Sequence, residues 1–210
     1  NYIEDFVNEI QDKLYSEDFA DPSSENYYGN YLDVDSFIDW WIVEEIAKNT
    51  DSNFFSSCYM YFDPQDQKLH MGPLWDFDLG FGNNGNTSVS NQTGFLADIA
   101  GALVNENNVP YAKRANWICR LREDSAFVEK ISQRWNFIFF DVVKYFSTSF
   151  ELNLESIKND AELNFVRWPI LGESVWNVPS GFEIRTTYDS EIDYFNSWFK
   201  NRMVWLNSNF

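Results

Sequence analysis

Two aspartates one residue apart, Asp76 and Asp78, sit in the run Trp75-Asp76-Phe77-Asp78-Leu79-Gly80-Phe81-Gly82. In an extended segment their side chains would alternate to opposite faces. A turn, which Gly80 and Gly82 favour, brings both carboxylates to one cation. Carboxylate oxygens suit Mg²⁺ or Mn²⁺, commonly held by one or two acids together with phosphate oxygens and water. A third acid, Asp51, closes Lys48-Asn49-Thr50-Asp51 directly after an apolar segment. Phosphoryl transfer asks little covalent chemistry of a protein: a carboxylate to orient the attacking hydroxyl, and metal to neutralise phosphate charge. Asp51 can fill the first role as the catalytic base or orienting carboxylate, and Asp76 with Asp78 the second as metal ligands. Simpler roles are open to all three, as Asx-turn or helix-stop residues.

The elements around these acids follow from periodicity. Ile3, Phe6, Val7, Ile10 and Leu14 have helical spacing over residues 1–16. A polar loop, 21–31, leads to Asp33, an N-cap for a helix running to about Lys48. Its centre, Trp40-Trp41-Ile42-Val43, is apolar on every side and therefore buried. Phe54-Phe55 and Cys58 to Phe62 read as strand, Asp63 to Gln67 as a turn, and Lys68 to Met71 as the returning strand. This predicts a hairpin over 54–71 packed on the helix begun at Asp33. Residues 83–93, rich in Gly, Asn and Ser, read as a mobile loop. Helices then follow over 95–104, 111–122, from near Asp124 with Phe127, Ile131, Trp135, Ile138, Val142 and Tyr145 on one face, over 151–166, and from near Asp189 to the end. Trp168-Pro169 stops the fourth of these. The fold class is α+β, mainly α, in a single domain without internal repeats.

Composition excludes several functions. Thirty-three acids against fifteen Lys and Arg give a formal charge of −18. No basic stripe exists to meet a phosphate backbone, so nucleic acid is excluded as a partner. No run is long and apolar enough to span a membrane. One histidine, His70, leaves no His-rich metal site, and Cys58 and Cys119 have no zinc spacing. Asp63 and Asp66 read as turn residues rather than a calcium loop. Glu44 and Glu45 could reach the cleft but read first as a solvated helix end, and Lys48 could contact phosphate but reads first as a cation at a helix C-terminus. The aromatic content of 19% serves packing first. Three or more of Trp117, Trp168, Trp176, Trp198 and Trp205 on one exposed face would instead favour a carbohydrate-binding or scaffold module. A two-carboxylate glycosidase would need two acids across a sugar-sized cleft.

Several segments together resemble a known family. Tyr31-Leu32-Asp33-Val34-Asp35-Ser36-Phe37-Ile38-Asp39, Lys48-Asn49-Thr50-Asp51, Tyr59-Met60-Tyr61, Gly72-Pro73-Leu74-Trp75-Asp76-Phe77-Asp78 and Trp198 to Leu206 are similar to the CotH family. That family, named for a spore coat protein, comprises atypical secreted or surface kinases. Asp76-Phe77-Asp78-Leu79-Gly80 also resembles the metal-binding Asp-Phe-Gly segment of protein kinases. The resemblance implies a protein-kinase-like large lobe whose β-hairpin carries the metal-binding segment. It implies ATP with Mg²⁺ or Mn²⁺, a protein substrate with Ser or Thr hydroxyls, and an extracellular or cell-surface location. Asp51 would match the catalytic-loop acid, Asp76 the metal-binding acid, and Asp78 the second acid of that motif. Ser57 and Cys58 stand where many members have Asn before the Tyr-x-Tyr strand. The resemblance further implies that the small lobe lies upstream, so that residues 1–210 form a truncated C-terminal lobe with little or no activity alone.

Overall fold

The computed structural model describes residues 2–52, 56–100 and 117–210. It is mainly helical with one two-stranded antiparallel hairpin among the described residues. The chain divides into two compact units. The first holds Asn1–Glu45, Asp51–Asp76 and Phe95–Ser132; the second holds Ile46–Thr50, Phe77–Gly94 and Gln133–Phe210.

In the first unit, helix α1 (Tyr2–Leu14) buries Ile10 and Leu14. Arg120 receives its last turn, donating from Nε to Leu14 O at 3.0 Å and from Nη2 to Ser16 O at 2.8 Å. Helix α2 (Val34–Ala47) starts as its sequence predicts, with the Asp33 carboxylate accepting from Ser36 N at 2.8 Å. Strands β1 (Met60–Asp63) and β2 (Lys68–Met71) pair Met60 with Met71 and Asp63 with Lys68. The turn between them is built as expected. Asp63 Oδ1 accepts from Gln65 N, Asp66 Oδ1 accepts from Lys68 N, and Gln67 takes a positive φ of 60°. Strand β2 alternates, burying Leu69 and Met71. It ties to the start of α2, since Asp33 N donates to Leu69 O and Met71 N to Ser36 Oγ. The expected hairpin is therefore present and joined to the expected helix, but its strands begin at Met60; Phe54 and Phe55 lie outside the described residues. Helices α4 (Leu96–Ala100) and α5 (Trp117–Leu121) fall within the expected 95–104 and 111–122, whose remaining central parts also lie outside the described residues. The core gathers Leu32, Phe37, Ile38, Ile42, Ile118 and Phe127.

The second unit is built on helix α6 (Ser125–Arg167, whose first eight residues belong to the first unit) and helix α7 (Tyr188–Asn207). The two helices expected over 124–145 and 151–166 are one helix of 43 residues. Nothing in Phe146-Ser147-Thr148-Ser149-Phe150 breaks it. The Ser147 and Thr148 hydroxyls donate to Lys144 O, within the helix rather than against it. Phe146 and Phe150, both half-buried, stack rings on α7, with Phe146–Phe199 centroids at 3.7 Å and Phe150–Phe195 at 4.9 Å. Tyr145, expected on the buried face, is exposed, because Phe146 takes that inward position. Helix α7 starts with a capping box on Thr187 and Ser190.

Residues 83–94 are not the free loop that their composition suggests. They include the short helix α3 (Thr87–Ser90), capped by Asn86, and bury Asn84 and Val89. Buried donors hold their carbonyls: Trp198 Nε1 on Ser90 O at 2.6 Å, and Arg202 Nη1 on Gln92 O and Gly94 O at 3.0 and 2.8 Å.

Candidate functional site

Asp51 sits in a single 3-10 turn, Thr50–Ser52, directly after α2. Its carbonyl accepts from Ser56 N at 3.1 Å. The neighbouring Ser52 hydroxyl, buried, donates to Glu44 Oε2 at 2.5 Å. Glu44 and Glu45 are thus not a solvated helix end; they are 4% and 1% exposed. Glu45 accepts from Leu96 N, Ala97 N and Trp41 Nε1 at 2.9 to 3.0 Å, capping α4 from a distance. A carboxylate loses little by burial when every oxygen meets a donor. The sequence signal for this was the all-round apolar character of α2, which leaves no solvated face for residues 44 and 45.

Lys48 is a second correction. It is 1% exposed, and its ammonium donates to Ser88 O, Asn91 O, Asn91 Oδ1 and Thr93 O at 2.6 to 3.1 Å. Its charge therefore serves residues 88–93 and not a phosphate.

Asp76 takes a left-handed backbone conformation, φ 66°. The turn thus begins on the aspartate itself, a residue type that tolerates this region, and not on the glycines alone. Ser57 Oγ donates to Asp76 Oδ2 at 2.8 Å, and Trp75 Nε1 to Ser57 O at 3.0 Å. The serine that stands near the expected Asn position thus touches the proposed metal ligand. Gly72 is required just upstream: a Cβ there would lie 2.7 Å from Tyr59 O.

Asp51 and Asp76, both of the first unit, present carboxylate oxygens within 4.8 Å of one another. Two like charges at that spacing repel by about 1 kcal/mol in water and about 3.5 kcal/mol at an effective dielectric of 20. A divalent cation removes that cost, and the all-oxygen donor set suits Mg²⁺ or Mn²⁺. Asp78 opens the second unit with Phe77 and is exposed. It sits in a turn closed by Gly80 N on Phe77 O at 3.0 Å, and its carbonyl accepts from Asn83 Nδ2 at 2.7 Å. Two peptide links join it to Asp76, which holds their Cα atoms to no more than about 7 Å. Gly82, at φ 81°, lies so near Trp198 that a Cβ would approach Cδ1 to 2.4 Å.

A second group escaped the sequence reading. His70 Nε2 lies 2.9 Å from Asp66 Oδ2, and Nδ1 3.6 Å from Asp33 Oδ1. The ring stacks on Tyr61, centroids 5.0 Å apart. Its two nitrogens face different carboxylates, an arrangement that clasps the hairpin turn to the cap of α2. The i,i+4 pair Asp66 and His70 across the turn was the available signal. Cys58 and Cys119 are not joined in a disulfide, and Cys119 Sγ donates to Ala97 O at 3.1 Å. Of the five tryptophans considered as platforms, Trp117 and Trp198 are buried, while Trp168 and Trp176 are exposed. Among the described residues no helix is long and apolar enough to cross a membrane.

Residues 1–206 match the family model described as CotH kinase protein. No curated protein and no solved structure matches the chain at a significant level.

Proposed function

The chain belongs to the CotH kinase protein family, and from that premise we propose that it is a kinase-like phosphotransferase lobe acting from ATP and a divalent metal on Ser or Thr hydroxyls of a protein. The observation that carries this reading is the pairing of Asp51 and Asp76 within 4.8 Å. Asp51 orients the acceptor hydroxyl and takes up its proton. Asp76 holds the metal, with one carboxylate oxygen steadied by the Ser57 hydroxyl. Asp78, two residues on, supplies the second carboxylate. When bound, Mg²⁺ or Mn²⁺ neutralises charge on the phosphates. Lys48 has no role towards phosphate, since it is buried among four oxygens. The family's association with the spore coat supports an extracellular or surface setting for the acceptor.

Thermal unfolding with and without metal tests the assignment. With a Kd of about 1 mM, a tenfold excess of Mn²⁺ stabilises by about 1.4 kcal/mol, raising Tm by about 3–6 °C for a chain of this size. Asp76→Asn keeps the fold and loses most of that rise. Asp51→Asn keeps much of it but loses phosphate transfer in an active preparation. A full metal response in Asp76→Asn would show that Asp76 is not the ligand.

A further inference from the structure

The second unit contains a cavity of about 360 Å³ whose aromatic walls the metal reading does not use, although its lining includes Asp78. Phe81, Phe150, Leu154, Ile192 and Phe195 form its apolar walls. Three of these rings pack as a cluster: Phe81–Phe195 centroids lie 5.2 Å apart and Phe150–Phe195 4.9 Å apart. A volume of this size suits a small organic ligand.

The polar lining decides which kind. Tyr194 spends its proton on Gly82 O, and Asn83 donates from Nδ2 to Asp78 O. Glu191 is engaged by Arg185 Nε at 3.0 and 3.1 Å. In the metal-free protein that leaves the exposed Asp78 as the cavity's uncompensated charge among its lining residues, none of which is Lys or Arg. Aromatic faces carry negative potential and attract organic cations, more strongly where water is partly excluded. An anion would meet the Asp78 carboxylate, the ring faces and no lining cation.

We propose that this cavity binds a substituted ammonium with an apolar body, its cationic end towards Asp78 and its body among Phe81, Phe150 and Phe195. The site goes beyond the phosphotransferase reading and does not rest on it; it shares Asp78 with the proposed metal ligands and is therefore a site of the metal-free protein. It is lined by α6, α7 and the segment after Asp76, so an occupant would brace that segment.

The test is isothermal titration of the chain in EDTA, which removes divalent metal from the comparison. The probes are phenethylammonium, neutral 2-phenylethanol, anionic 3-phenylpropionate and Nα-acetyl-lysine amide. Phenethylammonium is expected to bind saturably and at least tenfold more tightly than 3-phenylpropionate, with 2-phenylethanol between them. Binding of the lysine amide as tight as that of phenethylammonium would identify a protein side chain as the source of the ammonium; weaker binding would identify a free amine. Leu154→Trp on α6 and, independently, Ile192→Trp on α7 fill the cavity from opposite walls and touch neither Asp51 nor Asp76. Each is expected to weaken phenethylammonium at least tenfold while the Mn²⁺ response persists. If both filled variants bind it like the wild type, the attraction is only that of a chain with charge −18, and the proposal is wrong. Equal binding of the amine and the carboxylate, or no saturation by any probe, overturns it as well.

Discussion

Replacing Lys48 by Met removes an ammonium while keeping most of the stem's volume, and the loss can be worked from its surroundings. Four oxygens face Nζ at 2.6 to 3.1 Å. An ammonium has three protons, so three charge-assisted bonds count at most. At about 1.5–3 kcal/mol each the gross contribution is about 4.5–9 kcal/mol. The ammonium is only 1% exposed, and taking it from water costs several kcal/mol of that. The net expected loss is about 3–5 kcal/mol, the range for breaking a buried charged cluster. For a chain of 210 residues that corresponds to a Tm lower by about 10 °C. Urea titration followed by far-UV circular dichroism gives the free energy directly, and an unchanged slope shows that the unfolded state is comparable. With the carbonyls of Ser88, Asn91 and Thr93 orphaned, the backbone amides of this segment should also exchange their protons faster. A loss below about 1 kcal/mol would mean that these carbonyls find water as readily as they found the ammonium, and the argument from burial would fail.

Other perturbations probe separate parts of the molecule. Glu45→Ala strands Leu96 N, Ala97 N and Trp41 Nε1, and should cost about 3 kcal/mol by urea titration, with a changed tryptophan signal. Gly82→Ala forces a Cβ to 2.4 Å from Trp198 in a left-handed conformation, and should destabilise by more than about 2 kcal/mol, visible in Trp198 fluorescence. Burial, and then the hydrogen bond to Asp124 at 2.7 Å, push the Tyr28 hydroxyl well above the ordinary tyrosine range; burial does the same to Tyr31. A raised folded value means that this stability is fully present below the unfolded tyrosine value near 10 and is lost as pH rises beyond it. Stability should therefore fall above about pH 10, and Tyr28→Phe should flatten that fall; an unchanged alkaline slope in Tyr28→Phe would exclude Tyr28 as its source.

The local code carried a large share of this protein. Asp33 announced α2, the alternation of Lys68 to Met71 announced a strand, and Trp168-Pro169 announced the end of α6, because caps, pleats and proline act within a few residues. The resemblance carried by several segments, most specifically Gly72 to Asp78, named the family that residues 1–206 match. What it could not convey were contacts made across long stretches of chain. Glu45 meets Leu96 N some fifty residues away, and Lys48 meets Thr93 O forty-five away. A charge at a helix end is read from sequence as solvated, since burial depends on donors and acceptors that only the fold delivers. The continuity of α6 was hidden in the same way: the sequence reads as two helices on either side of residues 146–150, where the rings of Phe146 and Phe150 stack on α7. The turn at Asp76 belongs to this class too. Two glycines drew attention downstream, while tertiary structure put the left-handed residue on the aspartate and set the Ser57 hydroxyl against its carboxylate.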